Sequence, residues 1–97
     1  MFARVTHVQS KPGTLDAVVA LYQDSVVPLL KQQPGFESTF LLTDPATGKG
    51  MSITLWHSEA DRQAADSSGL LLEQIVKVMP LLAVPPVPEG LVSHRMA

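Results

Sequence analysis

The chain has 97 residues, of which 45% are hydrophobic and 16% charged, and a formal net charge of −2 at pH 7, so we expect a single domain over residues 1–97 with a modest core. Its scattered basic residues and few aromatic residues argue against a nucleic-acid partner, and its apolar runs are far shorter than the ~20 residues that a membrane-spanning helix needs. The sequence contains no cysteine, which excludes disulfides, thiolate nucleophiles and zinc–thiolate sites and favours a reducing compartment such as the cytoplasm.

The first predicted strand, Phe2 to Gln9, mixes apolar and β-branched residues and ends at a Lys-Pro-Gly turn. Thr14 is the expected N-cap of the helix that follows. Apolar residues then recur at three- and four-residue steps, the pattern of a helix lying on a sheet. They are Leu15, Val18, Val19, Tyr22, Val26, Leu29 and Leu30. Pro28 lacks a backbone donor, so we expect a kink in this helix or a new turn that starts near Val27.

The second and third predicted strands form a hairpin. Pro34-Gly35 ends the helix and is followed by Phe36 to Thr43, and Met51 to His57 gives the next strand. The segment between the two strands is rich in Asp, Pro, Thr and Gly, which favour turns. We therefore expect the two strands to pair antiparallel.

Two helical stretches are predicted after the hairpin. Ser58 with Asp61 resembles a capping box that opens a helix of Glu59 to about Asp66. After a Ser-Ser-Gly interruption, Leu70 to Leu82 is strongly apolar, and Pro80 should end or bend it.

The last predicted strand is Gly90 to Met96. The proline-rich run Pro85 to Pro88 before it is expected to be an extended connector, because proline cannot join a central ladder. The resulting order, βαββ(αα)β, is that of the ferredoxin-like α+β fold, a four-stranded antiparallel sheet with helices on one face.

Neither face of the predicted sheet carries the charge expected of a solvated surface. In the third strand, Met51, Ile53 and Leu55 alternate with Ser52, Thr54 and Trp56. In the second strand, Phe36, Phe40 and Leu42 alternate with Thr39, Leu41 and Thr43. Because the helices can cover only one face, we expect the other to pack on a second copy of the chain, as an isologous homodimer.

Several short motifs follow one another in a distinctive order. They are Val8-Gln9-Ser10-Lys11-Pro12-Gly13, Pro34-Gly35-Phe36, Asp44 with Thr47-Gly48-Lys49, and Ser52-Ile53-Thr54-Leu55-Trp56 with Ser58-Glu59-Ala60. This succession, over roughly Arg4 to Asp66, resembles the antibiotic biosynthesis monooxygenase superfamily. The resemblance implies a dimeric α/β barrel with one pocket per subunit between sheet and helices. Some members oxidise polycyclic aromatic substrates with O₂ and neither metal nor flavin, and others degrade haem.

This sequence has only some of the residues that carry the chemistry of the family. The cofactor-free oxygenases have a substrate-holding Asn four residues before the Trp, where this sequence has Ser52. The haem-degrading members have an iron-binding His about ten residues after the Trp, where this sequence has Asp66, and their Asn on the first strand corresponds to Thr6. Of these signature groups only Trp56 is kept. We therefore expect neither a metal nor a cofactor, and we rank haem binding or degradation third among the functions.

The predicted pocket is built around Trp56. It shares its side of the strand with Ser52 and Thr54, so on the helix side it would present a flat ring beside two hydroxyls, which suits a planar, weakly polar ligand. Tyr22 either aims its hydroxyl into this pocket or packs in the core with its hydroxyl at the rim. We also expect Phe40 to contact the ligand. Alternatively, Trp56 only fills the core beneath the helices.

Two histidines are candidates for a general base. A neutral imidazole of His7 or His57 could take a phenolic proton and raise the electron density of the substrate toward O₂. His7 is preferred, because His57 has the opposite parity to Trp56 and would face away from a helix-side pocket. The predicted catalytic residues are thus His7 and Trp56, although a histidine in such a position more often has only a structural role.

Two classes of function follow. The first is a cofactor-independent monooxygenase that acts on a small aromatic or quinone-type molecule. The second is a non-catalytic dimeric module that binds a small metabolite or only stabilises an assembly, which the missing Asn and His favour.

Overall fold

The computed structural model describes residues 1–70 and 72–97 of the chain. The elements are, in order, β1 (Phe2–Gln9), α1 (Leu15–Leu21), a π-helical turn (Tyr22–Val26), α2 (Val27–Lys31), β2 (Phe36–Asp44), β3 (Lys49–Trp56), α3 (Glu59–Ser67), α4 (Leu70–Val78), a 3-10 turn (Met79–Leu81) and β4 (Val87–Val92). The strands form one antiparallel sheet in the order β2-β3-β1-β4, with the helices packed on one face. The predicted ferredoxin-like α+β fold is confirmed. Within the described residues, no helix has the length and apolar character that crossing a membrane requires.

The helical segment between β1 and β2 changes its hydrogen-bond pattern before Pro28. The Val27 N–H donates to the carbonyl of Tyr22, five residues back, and α2 then starts with Pro28 in its first turn. Proline is tolerated there because the first turn of a helix does not need that N–H. The predicted new turn near Val27 is confirmed. The π-helical turn that starts at Tyr22 contains one residue more than an α-helical turn would.

The two predicted N-caps differ in outcome. Ser58 caps α3 as expected, since its Oγ accepts a hydrogen bond from the backbone N–H of Asp61 at 3.1 Å. Thr14 precedes α1, but its side chain makes no cap. Its hydroxyl donates instead to the carbonyl of Lys11 at 2.7 Å and lies 2.9 Å from that of Leu81. Thr14 is thus the N-cap residue of α1, as predicted, but its hydroxyl bonds no N–H of the helix and instead ties the turn after β1 to the turn after α4.

A β-bulge in β2 changes the side to which Phe36 points. Ser38 pairs with Leu55 while Phe36 pairs with Trp56, so Glu37 is the extra residue on β2. Phe36 thereby turns to the helix side, where its ring meets that of Trp56 edge-to-face at 6.0 Å and 81°. The predicted alternation, which put Phe36 on the same face as Phe40, is wrong at this one residue.

The last strand starts earlier than predicted. It runs over Val87–Val92 and pairs with β1 from Val87 opposite His7 to Val92 opposite Phe2. The predicted connector therefore ends at Pro86, and Pro88 lies inside β4. Proline is accommodated because β4 is an edge strand, where half of the backbone donors have no neighbouring strand to bond.

The strand register places the side chains in rows on the helix-covered face. These rows are Phe2, Trp56 and Phe36, then Arg4, Thr54 and Thr39, then Thr6, Ser52 and Leu41. The main core cluster lies between this face and the helices, and consists of Val26, Leu30, Trp56, Ala65 and Leu70. We call the opposite side the open face. Its central rows are Val5, Ile53 and Phe40, then His7, Met51 and Leu42.

Candidate functional site

A cavity of about 110 Å³ lies between the helix-covered face of the sheet and the helices. Strands β1 and β3 supply most of its floor, and the helices supply apolar walls that include Val18, Val26, Leu30 and Ile75. An apolar cavity of ~150 Å³ can hold benzene, so this one has room for roughly one aromatic ring. A larger ligand would extend through the side that is open to solvent.

Trp56 is both a core residue and a wall of this cavity. It ends β3, its exposed fraction is only 3%, and it belongs to the main core cluster. It also lines the cavity. A role in the core and a role in the pocket were alternatives for this ring in the sequence analysis. In the structure the ring contributes to both. Its buried indole Nε1 has no hydrogen-bond partner among the described residues.

Four hydroxyl groups meet beside the cavity, and we call them the hydroxyl cluster: Tyr22, Thr39, Ser52 and Thr54. The Tyr22 hydroxyl lies 2.5 Å from Thr39 Oγ1 and 2.7 Å from Ser52 Oγ. Thr39 Oγ1 in turn lies 3.1 Å from Thr54 Oγ1. Since each hydroxyl can both donate and accept, the cluster can present a donor or an acceptor to a ligand as required.

A charged group stands on the same floor, next to Thr54 in the row. Arg4 pairs with Asp66, whose Oδ2 also accepts from Arg62 Nη1 at 3.3 Å. Glu59 lies further out, 3.8 Å from Arg62 Nη2 and half exposed. Burial, and then the nearby Arg62 guanidinium, lower the pKa of Arg4 from its ordinary value. Arginine nevertheless remains charged in proteins, so Arg4 is a largely buried cation at the cavity.

Gln74 of α4 adds a buried amide to the cavity wall. Its Nε2 and Oε1 have no hydrogen-bond partner among the described residues, and neither does Arg4 Nε. Polar atoms that are buried in native proteins are nearly always hydrogen-bonded. The cavity wall therefore carries polar atoms that could bond a molecule bound there.

The structure brings together most of the residues predicted for the pocket. Tyr22, Ser52, Thr54 and Trp56 all line the cavity. They meet because even-numbered residues of β3 face the helices and Tyr22 opens the π-helical turn above them. Their roles in binding or catalysis stay predictions.

His7 and Phe40 lie on the open face, away from the cavity. Arg4, Thr6 and Val8 are the β1 residues that face the helices, so His7 must point to the other side. There its Nε2 lies 3.1 Å from Glu89 Oε1. Phe40 is 53% exposed on β2. The expectation that these two residues face the pocket beside Trp56 is corrected by their strand parity.

His57 also lies away from the cavity, as its parity predicted. Its Nε2 is 2.9 Å from Glu37 Oε2, and both side chains are exposed. Among the described residues that line the cavity there is no histidine. The group best able to accept a proton there is the Asp66 carboxylate, which two arginines already engage.

Three residues of this site were not predicted from the sequence: Arg4 and Gln74, which line the cavity, and Thr39, which belongs to the hydroxyl cluster beside it. Arg4 had a usable signal, since a charged residue inside an otherwise apolar strand needs a partner when buried. Gln74 had one too, because it lies four residues after Leu70 on the apolar side of α4. Thr39 had no signal of its own, because only the register of β2 against β3 places it beside Tyr22 and Thr54.

The residues present do not offer an obvious haem or metal site. Asp66, at the position of the haem-degrading members' iron-binding His, does line the cavity, but its carboxylate is held by Arg4 and Arg62. Within the part of the chain that the structure describes, no three His, Cys, Asp or Glu side chains are grouped so as to hold a metal ion.

Comparison with known families gives a match over most of the chain. Residues 1–73 match the family model described as antibiotic biosynthesis monooxygenase. The matched segment contains the strands β1 to β3, the helices α1 and α2 with the π-helical turn between them, and α3. It therefore includes nearly all of the cavity floor. A comparison with curated proteins gives no match.

Solved structures share the fold of this chain. The monooxygenase from the gene ActVA-Orf6 of Streptomyces coelicolor, solved in complex with nanaomycin D, has a TM-score of 0.77 at 21% identity, over 99% of this chain and 89% of that one. Rv0793 from Mycobacterium tuberculosis has a TM-score of 0.76 at 20% identity, over 99% and 97%. A protein of unknown function from Nitrosomonas europaea has a TM-score of 0.69 at 24% identity, over 99% and 93%. At these identities the likeness concerns the fold alone.

Proposed function

Because the chain belongs to the antibiotic biosynthesis monooxygenase family, we propose that it binds a small aromatic or quinone-type molecule in the cavity and oxidises it with O₂, without a metal or flavin. The observation that carries this proposal is the hydroxyl cluster beside the Trp56 ring, in a cavity whose helical walls are largely apolar. An apolar pocket with a few convergent polar groups is the usual form of a small-molecule site.

The cavity suits a flat ligand with one or more ring oxygens. The buried Trp56 ring offers an aromatic surface, and the Tyr22 and Ser52 hydroxyls can bond a carbonyl or phenolic oxygen. Hydrogen bonds in a cavity of low polarity orient a ligand strongly, because competing water is scarce. The protein's contribution would then be to position the ring and to stabilise negative charge on its oxygen.

For an anthrone-type substrate, the reaction that fits such a site converts the ring CH₂ between two aromatic rings into a ketone. The carbon loses two hydrogens and four electrons, one oxygen atom of O₂ becomes the carbonyl oxygen, and the other leaves as water with the two hydrogens. Ionisation of a ring hydroxyl raises the electron density that reacts with O₂. Since no histidine lies among the described cavity residues, acidic substrates that ionise readily in solution suit this protein best.

Oxygen consumption tests the proposed reaction. Purified protein would be incubated with anthrone-like and hydroxynaphthoquinone-like compounds while O₂ uptake and product are followed. We expect uptake above the uncatalysed rate, and we expect Ser52→Ala and Tyr22→Phe to reduce it by about 10-fold or more, as loss of an oxygen-positioning donor does. Ser67→Ala, on the exposed side of α3, is the matched control and should retain the rate.

A non-catalytic binding module is the second candidate. It is favoured by the lack of a histidine among the described cavity residues and by the pairing of Asp66 with two arginines. Tight binding of the same compounds without O₂ uptake across the panel would support it and exclude the oxygenase. A haem titration without a shift of the Soret band would remove the third candidate.

We also propose that two chains pack through the open face. Members of the family are typically dimeric, and the open face exposes Phe40 and Leu42 by 53% and 54%. Apolar side chains in adjacent rows of a sheet are normally covered by another layer. A cytoplasmic location, expected from the lack of cysteine, stays a prediction.

A further inference from the structure

Buried polar atoms without partners are concentrated at the cavity. Five such side-chain atoms occur among the described residues, and four of them belong to Arg4, Trp56 and Gln74, which all line the cavity. Three of the four are N–H groups: Arg4 Nε, Trp56 Nε1 and Gln74 Nε2. The fourth, Gln74 Oε1, is the only acceptor among them. The unpaired polar groups of the described cavity residues are therefore mostly hydrogen-bond donors.

The least exposed charged groups around the cavity are also mainly positive, so they too favour a ligand that supplies acceptors and negative charge. Two guanidinium groups, Arg4 and Arg62, share the single carboxylate of Asp66. Glu59 can offset part of the Arg62 charge, but it lies at the exposed outer side of α3, where solvent screens it. The side chain of Arg4 is only 12% exposed, so this cation is the one whose charge is least relieved by water. Burial, and then the neighbouring Arg62, lower its pKa, because both disfavour the charged form.

We infer that the ligand of this cavity carries an anionic oxygen, as an ionised ring hydroxyl or a carboxylate, and that Arg4 binds it with help from the Trp56 and Gln74 N–H groups. Charge-assisted hydrogen bonds to arginine are stronger than neutral ones. The carbonyl oxygen of a neutral ligand could accept from these donors, but it would leave the excess positive charge uncompensated. This inference rests on the proposed function, since it names the class of molecule that the same cavity would take.

The register of the sheet suggests how the ligand would be oriented in the cavity. Arg4, Thr54 and Thr39 lie in one row across β1, β3 and β2. Neighbouring strands are ~4.8 Å apart, so the Arg4 and Thr39 backbones are separated by roughly 10 Å. That distance is comparable to the length of a two-ring molecule, of which about one ring would fit in the cavity while the rest extends through its open side. Such a ligand would place its anionic oxygen toward Arg4 and a second oxygen toward the hydroxyl cluster, with its rings over Thr54 and against Trp56.

A matched pair of ligands tests the inference in the wild-type protein. 2-Hydroxy-1,4-naphthoquinone is an anion at neutral pH, whereas its 2-methoxy ether has nearly the same shape and no charge. Affinities would be measured by calorimetry under nitrogen, so that binding is separated from oxidation. We expect the anion to bind at least about 10-fold more tightly, which is the size of effect that one charge-assisted hydrogen bond gives.

Variants then assign the preference to Arg4. Arg4→Gln should abolish it, bringing the two affinities within about twofold, and Arg4→Lys should keep part of it because the charge remains while the planar fork is lost. Arg95→Gln, an exposed arginine near the end of the chain, is the matched control and should keep the full preference. Circular dichroism and retained binding of the methoxy compound show that each variant is folded.

The outcomes separate the inference from the proposed function. Equal affinity of the two compounds for the wild-type protein would overturn the inference and leave the proposed function standing. A preference that survives Arg4→Gln would overturn the assignment to Arg4. Failure of both compounds to bind would count against the cavity as an aromatic-ligand site, and thus against both. Because the first comparison uses the wild-type protein, it holds even if Arg4→Gln does not fold.

Discussion

At the residue scale, Gln74 is a buried polar side chain to which our inference assigns a role in ligand binding. Its amide is buried in the cavity wall, and both of its polar atoms lack partners among the described residues. A buried polar group without a hydrogen bond costs about 1–3 kcal/mol of stability. A residue that served only the fold would avoid this cost, since an apolar side chain of the same size would fit the wall better.

Replacing Gln74 by Met should therefore stabilise the free protein and weaken ligand binding. Methionine has a similar length and no amide, so we expect the free energy of unfolding in urea to rise by about 1 kcal/mol. Binding of 2-hydroxy-1,4-naphthoquinone should weaken at the same time. Gln63→Met, on the exposed side of α3, controls for the change of residue type and should alter neither quantity. A loss of stability in Gln74→Met would show that the amide has an internal partner.

Tyr22 joins the first helical segment to the sheet through polar contacts. Its hydroxyl bonds both Thr39 and Ser52. Replacing it by Phe should cost about 1 kcal/mol in the free energy of unfolding, because two partly buried hydroxyls lose a partner but can still bond each other or water. Denaturant unfolding measures the loss. A change within about 0.3 kcal/mol would mean that the hydroxyl contributes nothing to the free protein, leaving ligand contact as its role.

At the element scale, two glycines with the same backbone conformation test how the turn before β2 packs on α3. Gly35 and Gly13 both have φ of +77°, a conformation that costs other residues roughly 1–2 kcal/mol. A Cβ at Gly13 would meet nothing within 4 Å, whereas one at Gly35 would overlap the carboxylate of Asp61. That carboxylate accepts the Ser58 hydroxyl at the N-cap of α3, so the clash would disturb the start of the helix.

Gly35→Ala should thus be the more damaging of the two substitutions. We expect Gly13→Ala to lower the free energy of unfolding by about 1 kcal/mol and Gly35→Ala by about 3 kcal/mol, the difference being the steric cost at Asp61. Thermal and urea unfolding of the two variants provide the comparison. Equal losses would mean that α3 can shift away from the turn without cost.

At the scale of the whole molecule, the proposed dimer depends on the open face, where Phe40 and Leu42 are exposed. A charge placed within an apolar interface between two sheets is costly because it is buried without a partner. We expect light scattering to give a dimer for the wild-type protein at micromolar concentration and a monomer for Phe40→Glu. Leu72→Glu is the matched control, because Leu72 is also exposed, at 63%, but lies on α4. A monomeric wild-type protein, or a Phe40→Glu dimer, would contradict the proposed interface.

The alternation of residues along the chain was enough to predict several parts of this molecule. Period-two patterns in β1 and β3 and the stepped apolar pattern after Thr14 predicted the ferredoxin-like order of elements, because these periods follow from backbone geometry alone. The same alternation placed Ser52, Thr54 and Trp56 on one side of a strand. Pro28 and Pro80 marked the places where helices restart or end, since a missing N–H acts locally.

Only the tertiary structure decided which residues meet across elements. The pairing of β1 with β3 turned Arg4 toward the cavity and His7 away from it, and the bulge at Glu37 turned Phe36 inward. The position of β4 at the sheet edge allowed Pro88 to join a strand. Register, bulges and strand order depend on contacts between residues far apart in sequence, whereas the period of a single element does not. For that reason the sequence by itself determined the fold and the aromatic wall of the cavity, and the structure alone decided that a buried arginine, and not a histidine, stands beside it.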